Sequence, residues 1–528
     1  MKIERTKNAG RNIVFGVTLK LYQIVVPFLM RTIMIYVMGA KYLGLNSLFG
    51  SVLQVLNLAE LGVGSAMVYS MYRPIAEDDH TTICALLALY RKYYRIIGTV
   101  ILVLGLSVTP FLEKIIKMDT VPTDINIYIL YLLNLLTTVM SYWLYSYKNS
   151  LLNAFQRTDV ESKITMLCST ITYAVQIVIL LVWKNFYAYT FVMLFVRIIN
   201  NLMVAYKVNK MFPNYKPRGQ LNPKMVKEIN TKVKDLFTAR LGSVVYDSSD
   251  TIVVSAFLGM QVLAVYQNYF FIMTSVAGFV GTIFASCTAG IGNSLILESK
   301  EKNFFDLKKF TFIICWICSI CASCFLMLYQ PFMEVWVGTE LMLDFSAVIC
   351  FVVYFCAKQI NSLLNLYKDA AGIWHEDRFR PLAASLANLC MNLILIRYIG
   401  IYGVLLSTVL AIVMVGGPWL LHNLFTKIFE KKMMVPYLKC LGFNIGVVAI
   451  NCVACYSICN IFEWESLYLK IVVNLVICIL IPNIVNYIIF RKSEVFYEML
   501  LLIDRITRYK VHFIIAFFIR GSQDDPDR

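Results

Sequence analysis

Apolar blocks of about 20 residues or more follow one another along nearly the whole chain, separated by short polar loops. Nothing else in the sequence restricts the fold as strongly. Each such block can cross a hydrocarbon core of roughly 30 Å. Inside that core no water is available to backbone groups, so each block must satisfy its own N–H and C=O groups. A helix does this and an open sheet does not. Barrel strands of roughly 10 alternating residues do not fit blocks of this length. The reading is an all-α integral membrane protein with about 14 transmembrane helices. They are placed near 12–38, 42–70, 83–110, 124–152, 161–183, 187–208, 238–258, 261–297, 309–330, 344–371, 382–398, 401–425, 435–461 and 467–490. The block 261–297 is long for one span.

Charge tests this placement. Of the 48 Lys and Arg residues, about 38 fall in loops on the side of the termini and about 6 on the other side. Cationic loops are retained in the cytoplasm, so both termini are expected there. The net charge of +16 is then topological, and no nucleic-acid partner is expected. The apolar block after residues 1–11 is about 27 residues, too long for a signal-peptide core, and is expected to remain as the first membrane helix. Nearly all of the 15 cysteines lie within apolar blocks, where they act as small hydrophobes. Cys315, Cys318, Cys321 and Cys324 have the spacing of an iron–sulfur ligand set but sit inside an apolar helix rather than a wrapping loop, so no metal is assigned.

The chain repeats itself. Leu61-Gly62-Val63-Gly64-Ser65-Ala66 closes the second helix, and Ala289-Gly290-Ile291-Gly292-Asn293-Ser294 closes the eighth, 228 residues later. The segment 153–157 has a counterpart in 371–378. The repeat predicts two pseudo-symmetric six-helix lobes, 1–208 and 238–425, related by an axis along the membrane normal. Residues 209–237 form the linker, with a basic amphipathic helix over 221–237 lying on the cytoplasmic surface. Two further transmembrane helices are expected over 426–490 and a cytoplasmic interfacial tail over 491–528, with its last residues expected to be disordered.

No enzyme signature is present. The four histidines, His80, His375, His422 and His512, are scattered over loops and tail. The informative residues are polar groups inside spans, which are costly in hydrocarbon and are expected to face a wet cavity or a partner. Lys20, Gln23, Pro27 and Arg31 share one helical face, with the two cations about 16 Å apart at 1.5 Å per residue. Arg240, Ser243, Asp247 and Asp250 do so in the seventh helix, the repeat counterpart. Arg197 stands beside Asn200 and Asn201; Lys358, Asn361, Asn365 and Lys368 form a stripe; Asn134, Thr138, Ser141, Tyr145 and Lys148 form another. The candidate cavity cations are Lys20, Arg31, Arg197, Arg240 and Lys358, the neutral cavity groups Gln23, Asn134, Ser141, Asn361 and Asn365, and the candidates for ion coupling Glu60, Asp247 and Asp250. Each has a plainer alternative. Lys20, Lys148 and Arg31 could snorkel to a headgroup region, Arg240 could be a topology signal, the two aspartates could pair with it, and the paired glycines could serve close helix packing.

The segment 41–44 with 60–66 and 69–76, together with Asp247-Ser248-Ser249-Asp250-Thr251, resembles bacterial polysaccharide flippases of the Wzx type. These belong to the multidrug/oligosaccharidyl-lipid/polysaccharide exporter superfamily, and the resemblance implies a MATE-like fold. It implies translocation of undecaprenyl-diphosphate-linked glycan units across the bacterial cytoplasmic membrane by alternating access, with basic residues of the central cavity on the diphosphate. Expected partners are the lipid-linked oligosaccharide, membrane lipids, and a polysaccharide polymerase and glycosyltransferases; no cofactor is expected. Two other readings stay open: a cation-coupled multidrug exporter of the same superfamily, and a flippase for a lipid-linked peptidoglycan precursor.

Overall fold

Asp79, Asn126, Asn185, Asn222 and Ser299 each stand one residue before a helix, and each caps it. Their side-chain oxygens accept from the backbone N–H of Thr82 (3.0 Å), Tyr128 (3.0 Å), Ala188 (2.9 Å), Lys224 (3.0 Å) and Lys302 (3.2 Å). Such caps satisfy donors that a helix start leaves open. Gly259, Gly338, Gly372 and Gly400 sit just after helix ends, with φ of 88°, 80°, 71° and 56°, where other residues would be strained.

The computed structural model describes residues 5–57, 63–117, 120–155, 157–285, 287–461 and 466–506. Among these the regular structure is helical throughout. The principal helices are α1 (Arg5–Val37), α2 (Ala40–Leu56), α3 (Val63–Ala76), α4 (His80–Val108), α5 (Ile127–Trp143), α6 (Asn149–Ala154), α7 (Thr158–Val182), α8 (Phe186–Met211), α9 (Pro223–Leu258) and α10 (Met260–Ala285). They continue with α11 (Thr288–Leu297), α12 (Lys300–Val337), α13 (Phe345–Ala371), α14 (Arg380–Ile399), α15 (Ile401–Leu410), α16 (Gly417–Lys427), α17 (Met434–Cys459), α18 (Leu467–Phe490) and α19 (Glu494–Ile506).

By length and composition, 11 described helical spans can cross a membrane, and 12 if the pair Ile127–Trp143 and Ser146–Ala154, bent by 47°, is one span. The chain is a multi-pass membrane protein; among the described residues 11 or 12 of the expected 14 spans meet this test. Two expected spans fall short. The span 42–70 is divided between α2 and α3, with residues 58–62 outside the described set. The span 238–258 is the second half of α9, whose sequence carries Arg240, Asp247 and Asp250 among its apolar residues. The long block 261–297 resolves into α10 and α11. The linker segment 221–237 and the seventh span, expected as separate helices, form the single 36-residue helix α9; Ile229 on its basic half is buried.

Two compact units emerge from the packing: residues 1–268 with 381–400, and residues 269–380 with 401–528. The lobes read from the sequence are drawn by repetition and these units by packing, so their edges differ.

In the first unit, small residues allow helices to approach closely. A Cβ at Gly44 would lie 2.2 Å from the Met260 carbonyl oxygen, and one at Gly242 the same distance from the Pro381 carbonyl carbon. α1 packs on α7 and α4 on α5, where the Tyr131 hydroxyl donates to the Gly105 carbonyl at 2.9 Å. Beyond α6, the fully buried Asp159 accepts from Arg157 at 2.8 Å, with Lys163 3.6 Å away.

In the second unit α12 packs against α13, α17 and α18. All four of Cys315, Cys318, Cys321 and Cys324 lie on α12. The apolar face of α19 docks Phe496, Met499 and Leu500 on Phe312, Val447 and Phe490; the tail beyond residue 506 lies outside the described residues. Here too a buried carboxylate stands at the repeated segment, this time within it: Asp377 accepts from Arg380 at 2.7 Å and lies 3.4 Å from Lys368. Each half of the repeat therefore closes the same loop on a buried Asp held by Arg and Lys.

Candidate functional site

Arg31 lies four residues beyond Pro27 on α1, and both line a cavity of about 500 Å³ in the first unit. α5 contributes Thr137, Thr138, Ser141 and Tyr142; α7 contributes Thr165, Ser169, Thr172, Tyr173 and Gln176; α8 contributes Tyr189, Arg197 and Asn200. Asn46 and Asn57 come from α2 and its end. Among the described lining residues two are cationic, and none is Asp or Glu.

Neighbouring groups hold the lining in place. The Arg31 Nη1 reaches the Gln267 carbonyl at 3.4 Å and the Asn268 Oδ1 at 3.5 Å. These are long contacts to neutral oxygens. Gln176 donates to the Tyr189 carbonyl at 3.0 Å, tying α7 to α8. Tyr142 donates to the Asn57 Oδ1 at 3.3 Å, and Asn201 donates to the Ser141 carbonyl at 3.1 Å. The Asn200 Oδ1 is buried with no hydrogen-bond partner, a cost of about 1–3 kcal/mol for such an acceptor.

Of the cations and neutral groups singled out in the sequence, the cavity brings together Arg31, Arg197 and Ser141, with Thr138 and Asn200 beside them. Lys20 and Gln23 are exposed and outside the lining. Asn134 donates within its own helix to the Leu130 carbonyl at 2.9 Å. Lys358 belongs to the second unit, its ammonium 5.7 Å from the Tyr354 ring and 6.0 Å from the Phe270 ring. Asn361 and Asn365 also lie there; Asn365 accepts from Arg380 at 2.7 Å, and the Asn361 Oδ1 is buried without a partner. Asp250 is buried in the first unit and accepts from Asn392 at 2.7 Å. Glu60 and the side chains of Arg240 and Asp247 lie outside the described residues. Lys148 does not reach outward: it is buried and donates to the Asn209 Oδ1 at 2.7 Å, with the Tyr145 ring 4.9 Å away.

The stripe on α7 was missed. Thr165, Ser169, Thr172 and Gln176 recur at steps of 4, 3 and 4 and turn one polar face to the cavity. That spacing is visible in the sequence, but three of the four are small hydroxyl residues that disappear into an apolar block when attention goes to charge.

No protein-family model matches the chain, and no curated protein matches it. Solved structures do. The fold is similar to that of the lipid II flippase MurJ in an inward closed conformation, with TM-score 0.65 and 15% identity over 91% of this chain and 99% of that one. It is also similar to an inward-facing multidrug resistance MATE transporter of the MOP superfamily, with TM-score 0.59 and 14% identity over 78% and 97% of the two chains. For the Vibrio cholerae MATE transporter VcmN the values are 0.52 and 13%, over 80% and 98%. At these identities the likeness is one of fold.

Proposed function

We propose that this chain is a flippase that carries polyprenyl-diphosphate-linked oligosaccharide from the cytoplasmic to the outer leaflet of a bacterial cytoplasmic membrane. One observation carries the reading: the first-unit cavity presents two guanidinium groups and no carboxylate among its described lining residues, the remainder being rich in hydroxyl, amide and tyrosine side chains. An anionic, hydroxyl-rich headgroup is the complement of that surface. A diphosphate leaving water needs compensating charge, and Arg supplies it in a planar fork that matches phosphate oxygens. Amide and hydroxyl groups on α5, α7 and α8 suit sugar hydroxyls as donors and acceptors. The polyprenyl tail stays in lipid.

Alternating access would expose the cavity first to one side and then to the other. An interior-negative potential favours outward movement of an anion by about 2.3 kcal/mol per net charge per 100 mV. Asp250, with Glu60 and Asp247, remains the candidate set for coupling a proton or sodium ion. Polysaccharide polymerase and glycosyltransferases are the partners such a cargo would require. The fold likeness to a protein described as a lipid II flippase supports this reading and keeps a peptidoglycan-precursor cargo beside it. The exporter reading has the MATE likeness in its favour, but among the described lining residues a cationic drug would meet two guanidiniums and no carboxylate.

The test is reconstitution into liposomes with a polyprenyl-diphosphate oligosaccharide, scoring its appearance in the opposite leaflet. Wild type should move it, and R31Q/R197Q at equal protein level should not. Equal transport by the double variant would overturn the assignment of the cavity.

A further inference from the structure

A second cavity, of about 600 Å³, opens in the first unit beside the loops that the charge pattern assigns to the cytoplasm. Its wall holds four tyrosines, Tyr69, Tyr72, Tyr90 and Tyr94, and one ionisable acid, Glu161. Gly64, read from the sequence as a packing residue, lines it as well. We infer that this chamber is a saccharide subsite for the sugar end of the cargo, distinct from the arginine-bearing cavity; the inference rests on the oligosaccharide reading above.

The tyrosines form a track. Tyr69 and Tyr72 lie one turn apart on α3, ring centroids 6.3 Å apart, and both are largely exposed. Tyr90 and Tyr94 lie one turn apart on α4, edge to face at 4.4 Å, the Tyr90 hydroxyl donating to that of Tyr94 at 2.8 Å. Tyr94 in turn packs on Tyr142 at 5.5 Å, and Tyr142 lines the first cavity. The two chambers thus share a wall of aromatic rings. Tyrosine offers an apolar face to the C–H side of a sugar ring and a hydroxyl at its edge.

The polar groups distinguish a sugar from other ligands. Among the described lining residues Glu161 is the only ionisable acid or base, tyrosines aside, and would repel a phosphate. An aromatic cage with a carboxylate also suits an organic cation, but this carboxylate already accepts from Asn149 at 3.1 Å and lies in the field of Arg197. Ser146, Asn149, Ser150 and Asn153 complete the wall with hydroxyl and amide groups that a hydrocarbon-clad cation cannot use and a polyol can. The diphosphate therefore belongs with Arg31 and Arg197, and the outer sugars with the tyrosines.

Two measurements on the full chain in nanodiscs and liposomes test this. First, calorimetric binding of a lipid-free pentasaccharide and, separately, of tetraethylammonium is measured for wild type, Y69A/Y72A and Y69F/Y72F. Saccharide affinity should fall at least tenfold in the alanine variant and recover in the phenylalanine one. No saccharide binding by wild type, equal binding by the alanine variant, or loss of tetraethylammonium binding alone would overturn the site. Second, transport of polyprenyl diphosphate bearing one hexose is compared with that bearing five. The five-to-one rate ratio should drop about tenfold in Y69A/Y72A, and an unchanged ratio would overturn the subsite's role in transport. If wild type moves neither cargo, the transport reading fails, while the binding measurement still decides whether the chamber takes sugar.

Discussion

Arg380 donates two hydrogen bonds to the Asp377 carboxylate, at 2.7 and 2.8 Å, where both residues are almost wholly buried. Lys368 and Asn423 close on the same carboxylate, at 3.4 and 3.2 Å. Removing the acid leaves two cations facing each other without it. D377A should destabilise the chain by about 3–5 kcal/mol, as for other buried pairs that lose one member. D377N keeps an acceptor and should lose less. Thermal unfolding in detergent, read at equal protein concentration, measures both; a D377A melting point equal to wild type would refute the role.

Gly44 leaves no room for a side chain. An added Cβ would sit 2.2 Å from the Met260 carbonyl oxygen, which is backbone and cannot swing aside. G44A should cost about 1–3 kcal/mol by overpacking, and G44V more. G50A serves as the control, since nothing lies within 4 Å of its added carbon, although Ala is the better helix former there. The same melting assay ranks the three.

The two cavity arginines should act on cargo affinity rather than on stability. A charge-assisted hydrogen bond is worth about 1.5–3 kcal/mol, so R31Q or R197Q alone should weaken half-saturation for a diphosphate-linked cargo by roughly 10- to 100-fold. R31K keeps the charge and loses the fork, and should fall between. Transport titrated against cargo concentration gives the numbers.

Asp79 caps α4, and its carboxylate accepts from Thr81 at 2.6 Å and from the Thr82 N–H at 3.0 Å. These bonds favour the charged form and draw its pKa down to about 2. A depressed carboxylate contributes stability above its unfolded pKa of about 3.9, lost as the pH falls toward the folded value. The acid limb of the stability curve between about pH 4 and 2 should therefore flatten in D79A. D79N keeps a cap acceptor and should also lose the pH dependence. If the limb is unchanged in both variants, the cap does not contribute.

Much of the fold was legible because hydropathy and helix periodicity act locally. The caps at Asn126 and Asn185 and the breaks after Gly259 and Gly338 follow from single residues. The continuity of α9 was not legible, because a basic amphipathic half and a membrane half differ in composition while sharing one hydrogen-bonded backbone. Site residues divide in the same way. Periodicity puts Lys20, Gln23, Pro27 and Arg31 on one face, but says nothing about where along the helix a cavity begins; only the last two reach it. The spacing of Lys358 and Asn361 likewise gives a face without telling which unit packs against it. Thr165, Ser169 and Thr172 carry no charge, so the costs that single out buried ions did not draw attention to them.

The bond ladder that runs unbroken from Pro223 to Leu258 makes a rod about 54 Å long at 1.5 Å per residue. A flexible tether would absorb a pull on its basic end. A rod passes it on, so a partner that gripped the lysines near Asn222 would also tilt Ser248, Ser249 and Asp250 at the far end.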